Sequence, residues 1–203
     1  MDIKSRLNQY ADEYERFKKS KENEIKKIYE QYQPQAANEK FSAIKKEVEA
    51  KRIECVSAVS NELKSIANDF EKQYLKRPDN YDIKLNTTIN LLTSIGKDAT
   101  ESDLKEWLAP FKYDYKTMLT FSKIIKSSSA GFTLSGYNQI PEIIKKLKNA
   151  AEKTENFFSG PAMPPGTALN GNVQPDYSSL NLLFFCDAMT DKMESVKEFV
   201  DNF

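Results

Sequence analysis

The sequence predicts an all-α protein: a long antiparallel helical hairpin, coiled-coil-like, followed by a compact helical domain. Three observations carry that prediction. Residues 38–77 hold an apolar stripe, Phe41, Ile44, Val48, Arg52, Cys55, Val59, Leu63, Ile66, Phe70 and Tyr74, whose spacings of 3, 4 and 4 repeat three times. This eleven-residue period averages about 3.67 residues per turn, so the stripe keeps to one side of a nearly straight helix, where a seven-residue repeat would impose a left-handed supercoil. At about 1.5 Å per residue the helix is roughly 55–60 Å long, and its stripe needs another long helix to cover it. The second observation is an upstream stripe in residues 2–33: Ile3, Leu7, Tyr10, Tyr14, Phe17, Ile25, Ile28 and Tyr32, interrupted where Lys21 occupies the line. The third is the break between them, Gln33 to Asn38, with Pro34 unable to continue the first helix and Asn38 a suitable N-cap for the second. A short connection between two amphipathic helices makes antiparallel neighbours, and one kinked rod pairing with another copy is the second choice.

Composition narrows the chemistry. The 203 residues carry 30 Lys+Arg and 30 Asp+Glu, so no global field favours nucleic acid or an anionic membrane. Twelve Phe, ten Tyr and one Trp are enough to build a core. Histidine is absent, which removes the commonest general base and zinc ligand and the Ser–His and Cys–His nucleophile systems. Cys55 and Cys186 lie in apolar helical patterns and are expected as buried thiols, as in a reducing compartment. No apolar run follows the N-terminus and none approaches 18 residues, so a cytoplasmic chain without a membrane span is expected.

Within the hairpin, the pairs Asp12–Arg16, Glu15–Lys19 and Glu22–Lys26 mark a solvated face. Arg52 falls on the stripe, and two readings stand: methylenes along the core with the guanidinium outward, or a register-fixing pair with a Glu of the facing helix. Arg77-Pro78-Asp79-Asn80 divides a hairpin domain, 1–77, from a compact helical domain, 78–203.

The second domain opens with an extended entry, where Tyr81, Ile83 and Leu85 alternate, and continues as a helix from Asn86 to Ile95 ended by Gly96. Thr100-Glu101-Ser102-Asp103 resembles a capping box for a helix bearing Leu104, Trp107 and Leu108, stopped by Pro110. Tyr113–Lys126 forms the next helix. A helix-turn-helix reading of this region is weak, because Lys112, Lys116, Lys123 and Lys126 lack the Arg, Asn and Gln set that reads base edges. Residues 127–138 are a loop or small hairpin, and Pro141 opens a helix with Ile140, Ile144, Leu147 and Ala151 inside and Lys145, Lys146, Lys148 and Lys153 outside. Residues 159–177 hold Gly160, Pro161, Pro164, Pro165, Gly166, Gly171 and Pro175, the composition of a linker or a binding loop, and match no phosphate-cradling pattern. The final helix, Ser179–Asp201, carries Leu183, Cys186, Met189, Met193, Val196, Val200 and Phe203 on one side. The additional Leu182, Phe184 and Phe185 make its first half apolar nearly all round, as in a central helix or an interface.

No catalytic constellation stands out. Lys112, Tyr113 and Tyr115 can be drawn as an acid/base group, but aromatic packing is the preferred reading, and no calcium-type Asp-rich loop is present. The charged, Tyr- and Lys-rich first 77 residues, with the Tyr32-Gln33-Pro34 break and the Lys40-Phe41-Ser42-Ala43-Ile44-Lys45 restart, resemble small coiled-coil proteins of bacteriophage head and tail assembly. The resemblance implies a structural or assembly role, in a host cytoplasm or an assembled particle, and brings no functional residues with it. The expectation is a non-enzymatic protein–protein interaction module without cofactor or metal. Its partner is another protein or a second copy, met through Arg52, Phe184 and Phe185 and through Pro164 and Pro165 of the loop. An inhibitor or regulator that blocks a macromolecular target is the alternative, and nucleic acid is disfavoured.

Overall fold

The computed structural model describes residues 3–125, 133–158 and 178–203. Seven α-helices are present among the described residues: α1 (Ile3–Gln31), α2 (Pro34–Gln73), α3 (Tyr81–Ser94), α4 (Glu101–Leu108), α5 (Tyr115–Ile125), α6 (Gln139–Glu152) and α7 (Ser178–Asp201). Extended pairing among them is limited to one isolated antiparallel bridge, Leu75 with Asp114. The fold is all-α, a paired N-terminal hairpin followed by a compact helical region. Where chain order puts a single cut at 77/78, packing groups Met1–Lys64 with Asn149–Thr190 and Ser65–Lys148 with Asp191–Phe203. The expected loop at 159–177, the serines at 127–129 and Lys126 lie outside the described residues.

In the first unit α1 and α2 run antiparallel, and the cross-helix ties record the register. Arg6 meets Glu62, Glu13 meets Lys51 at 2.6 Å, Lys21 meets Glu47 at 2.6 Å, and near the turn the Tyr29 hydroxyl donates to Asn38 Oδ1 at 2.9 Å. One number climbs as the other falls. The turn is tighter than the sequence reading placed it. Ala37 N–H donates to Gln33 C=O at 3.0 Å, which puts Pro34 at the first helical position, where its missing N–H is no loss. Asn38 is therefore not the N-cap but sits inside α2, with its side chain given to Tyr29. The inner line of α1 is Ile3, Leu7, Ala11, Tyr14, Lys18, Ile25 and Ile28. Tyr10 and Phe17, expected on that line, flank it half-buried, and Tyr32 is exposed. The α2 stripe is buried from Ile44 to Tyr74 except at Arg52. Tyr14 packs edge-on to Phe158 with ring centroids 5.4 Å apart, and the Ser60 hydroxyl donates to the Ala151 carbonyl at 2.7 Å, satisfying one of the last carbonyls of α6.

In the second unit the end of α2 is stitched to the start of α5. Lys76 N–H donates to the Tyr113 carbonyl and Tyr115 N–H to the Tyr74 carbonyl, each at 2.9 Å. Asp114 between them is a buried carboxylate, 3 % exposed. It caps α5 by accepting from Thr117 N–H at 3.3 Å and from the Thr117 hydroxyl at 2.8 Å, and Arg77 Nε stands 3.9 Å away. Thr117 also shares a hydrogen bond of 2.7 Å with the Tyr81 hydroxyl, and the Arg77 guanidinium lies 4.5 Å over the Tyr81 ring. Tyr81, Phe111 and Phe121 stack edge to face at 6.0 and 5.2 Å.

The expected extended entry at Tyr81–Leu85 is the first turn of α3. Asn80, at φ 54°, starts the helix, and Lys84 N–H donates to its carbonyl at 3.1 Å. The left-handed conformation is one that Asn tolerates. Tyr81 and Leu85 are one helical turn apart and half-buried, whereas Ile83 is exposed, so the alternation is only the start of a helical stripe. Gly96 follows α3 because a Cβ there would lie 2.2 Å from the Leu92 carbonyl oxygen. The capping box at Thr100 forms as expected: Thr100 Oγ1 accepts from Asp103 N–H at 3.2 Å, and Thr100 N–H donates to Asp103 Oδ2 at 2.8 Å. Residues 135–138 form a 3-10 turn rather than a hairpin.

Replacing Asp114 by Ala removes the cap of α5 and leaves the buried Thr117 hydroxyl with Tyr81 as its one partner; the expected loss is about 1–2 kcal/mol, or about 2–8 °C in Tm. Thermal melts followed by circular dichroism check this, and an unchanged Tm would show that the carboxylate holds nothing together. Burial also raises the Tyr74 phenol to about 12, with Asp201 and Tyr113 adding to it, and raises Tyr115 and Tyr137. An unfolded tyrosine ionises near 10, so above that pH the unfolded chain has lost protons that the folded one keeps, and stability falls as pH rises towards 12. Absorbance at 295 nm against pH should show late-titrating tyrosines that become ordinary in denaturant.

Candidate partner-binding site

An α-helix shows neighbouring residues to different sides, and the first half of α7 separates its apolar residues accordingly. Leu182, Cys186 and Met189, at spacings of four and three, are buried in the first unit. Phe185 is half-buried, its ring 5.8 Å from that of Phe157 and tilted by 42°. Phe184 points elsewhere and is 69 % exposed, the highest value for a large aromatic in the described residues. The nearby Asp187 is held by Lys4 of α1 at 2.8 Å, which ties this part of α7 to the hairpin.

Arg52 behaves differently from the sharper of its two sequence readings. Its Nε and one terminal nitrogen donate to the two oxygens of Glu49 at 3.0 and 2.7 Å, a bidentate pair within α2. The guanidinium holds the Glu49 carboxyl below the usual range, and Glu49 in turn raises Arg52. The partner is on its own helix, so Arg52 does not set the register against α1. That role falls to Lys51, which reaches Glu13 and is raised by it first and by Glu54 second. No ring or ion contact joins Arg52 to Phe184 or Phe185 among the described residues. Pro164 and Pro165 lie outside them.

One residue of this unit escaped sequence reasoning. Ile53, beside Arg52, is 58 % exposed. Its position off the eleven-residue stripe was the available signal. Phe157, the ring under Phe185, follows α6 in a 3-10 turn where no periodicity marks it.

The groups considered for chemistry are engaged elsewhere in the second unit. The Tyr113 hydroxyl donates to Asp201 at 3.3 Å, the Lys112 amino group lies 5.0 Å over the Tyr113 ring, and the Tyr115 hydroxyl faces Glu71 at 3.5 Å. Lys112 and Tyr113 thus touch each other through a ring face, and Tyr115 turns to Glu71 instead. Neither cysteine is in a disulfide, and burial pushes the Cys55 thiol up, away from the reactive thiolate. Among the described residues no group of three or more Cys, Asp or Glu is placed to hold a metal ion, and no helix is long and apolar enough to cross a membrane.

No family model, no curated protein and no solved structure matches this chain.

Phe184 and Phe185 are expected to separate by substitution. Phe184→Asp should leave stability within about 0.5 kcal/mol, since an exposed ring gives up little on removal. Phe185→Ala loses a ring contact and half-buried area and should cost about 1–2 kcal/mol. Urea denaturation of both variants measures this, and equal losses would mean that Phe184 is packed.

Proposed function

We propose that this chain is a non-enzymatic protein–protein interaction module, a structural or assembly adaptor in which the hairpin serves as spacer or docking arm. The observation that carries the reading is the exposure of Phe184 on the first half of α7, where Leu182, Cys186 and Met189 are buried in the first unit. A Phe ring left in water forgoes about 1.5–3 kcal/mol of burial, which a protein partner can recover. Ile53 adds a second exposed apolar side chain on the same unit, and half-buried Phe185 backs Phe184 along the chain.

The two long helices favour a docking arm over an obligate rod. Their stripes are buried within one chain, so the hairpin has no need of a second copy to cover them. The resemblance of the first 77 residues to coiled-coil proteins of bacteriophage assembly points the same way, to a protein working in the cytoplasm of a host or within a particle.

Affinity capture from the native cellular background, comparing the wild-type chain with Phe184→Asp, tests this. A protein retained by the wild type and lost on the variant is the expected result, with light scattering showing a monomeric bait. Identical captured sets would remove Phe184 from the interface, and wild-type binding of nucleic acid alone would overturn the reading.

A further inference from the structure

The second unit contains a cavity of about 410 Å³ between α4 and the last turns of α7, bordered by Glu101, Lys105, Glu198, Phe199, Asn202 and Phe203. That volume lies in the range of small-ligand sites, about 300–1,000 Å³. We propose that it binds a guanidinium group carried on an apolar stem. This goes beyond the adaptor reading, and it concerns other residues than the surface around Phe184.

The aromatic side of the cavity is fixed before any ligand arrives. Phe199 and Phe203 both pack edge-on to Tyr137, with centroids 5.3 and 6.1 Å away and interplanar angles of 81° and 73°. Tyr137 is itself fully buried and anchored, its hydroxyl donating to the Lys112 carbonyl at 2.9 Å. Gly136 leaves the space that Phe199 fills, since a Cβ there would lie 2.4 Å from the ring. The rings therefore form a preset aromatic wall, and an aromatic ring attracts a cation that reaches its face.

The charges choose the sign and the shape of the ligand. Glu101 is paired with Lys105 at 2.9 Å, so those two cancel. Glu198 makes no ion pair among the described residues and leaves the lining side chains with one uncompensated carboxylate. An anion would face that carboxylate, and a neutral apolar molecule would strip its water without replacing it. A guanidinium is planar, stacks on aromatic faces, donates in parallel to a carboxylate, and is less strongly hydrated than an ammonium. Asn202 adds an amide oxygen and an NH₂ at the rim.

The probe is N-acetyl-arginine methylamide, titrated into the full chain and followed by amide chemical shifts, with the citrulline analogue as its neutral isostere. Saturable shifts confined to residues 101–105, 195–203 and Thr133, which also borders the cavity, are expected with arginine and not with citrulline. Glu198→Gln should weaken binding about tenfold, the worth of one hydrogen-bonded charge, and Lys105→Met, which releases Glu101, should tighten it. Both side chains stand at the surface, and circular dichroism verifies that the variants fold. A tripeptide with central arginine distinguishes the source: tighter binding than the single residue indicates an arginine of a polypeptide, equal binding a free small cation. Equal responses to arginine and citrulline, shifts elsewhere, or an affinity unmoved by Glu198→Gln would overturn the proposal.

Discussion

A 40-residue helix with an apolar repeat along most of its length has to be covered along most of its length. That constraint on α2 governs the molecule. Ile44, Val48, Cys55, Val59 and Leu63 are buried in the first unit and Ile66, Phe70 and Tyr74 in the second. Each large apolar side chain removed from water contributes about 1.5–3 kcal/mol, so no arrangement that leaves either half of the stripe bare is competitive. The eleven-residue period makes one straight helix able to do this, because its stripe does not drift around the axis.

Charges decide details that the apolar stripe leaves open. Cross-helix pairs such as Lys51–Glu13 and Lys21–Glu47 are partly exposed and each worth about 0–1 kcal/mol. They do not hold the hairpin shut; burial does. Their effect is on register, because sliding one helix against the other would separate several pairs together. Asp114 is the opposite case, a single buried carboxylate whose hydrogen bonds connect α5 to Tyr81 through Thr117. Losing a partner there leaves an uncompensated polar group, which costs more than any one surface pair contributes.

The two surfaces singled out for binding follow different physics. Phe184 is an apolar group left outside a packed helix, suited to a partner that offers area. The cavity by Phe199 and Glu198 is a preset aromatic wall with one uncompensated carboxylate, suited to a single cationic group. Both lie on α7, the first among residues grouped with the hairpin and the second among those grouped with α3 to α6.

Sequence alone determined what depends on neighbours along the chain. The stripe of α2, the capping box at Thr100 and Asp103, and the inward residues Cys186, Met189, Met193, Val196 and Val200 of α7 are all local patterns, and the structure has them. Where two local patterns competed, tertiary packing chose. Pro34 serves equally as a breaker or a first helical residue, and the short turn that brings Tyr29 to Asn38 selected the second. The alternation of Tyr81, Ile83 and Leu85 fits a strand or a helix start, and packing of Tyr81 on Phe111 selected the helix. Arg52 on the stripe has the reach for α1 or for its own helix, and the nearer Glu49 captured it. Phe184, Phe185 and Leu182 are equally apolar in sequence, so only the three-dimensional placement of α7 could decide which ring meets water. The cavity had no signature at all, because Glu101, Thr133 and Glu198 are distant in the chain and only the tertiary fold brings them to one place.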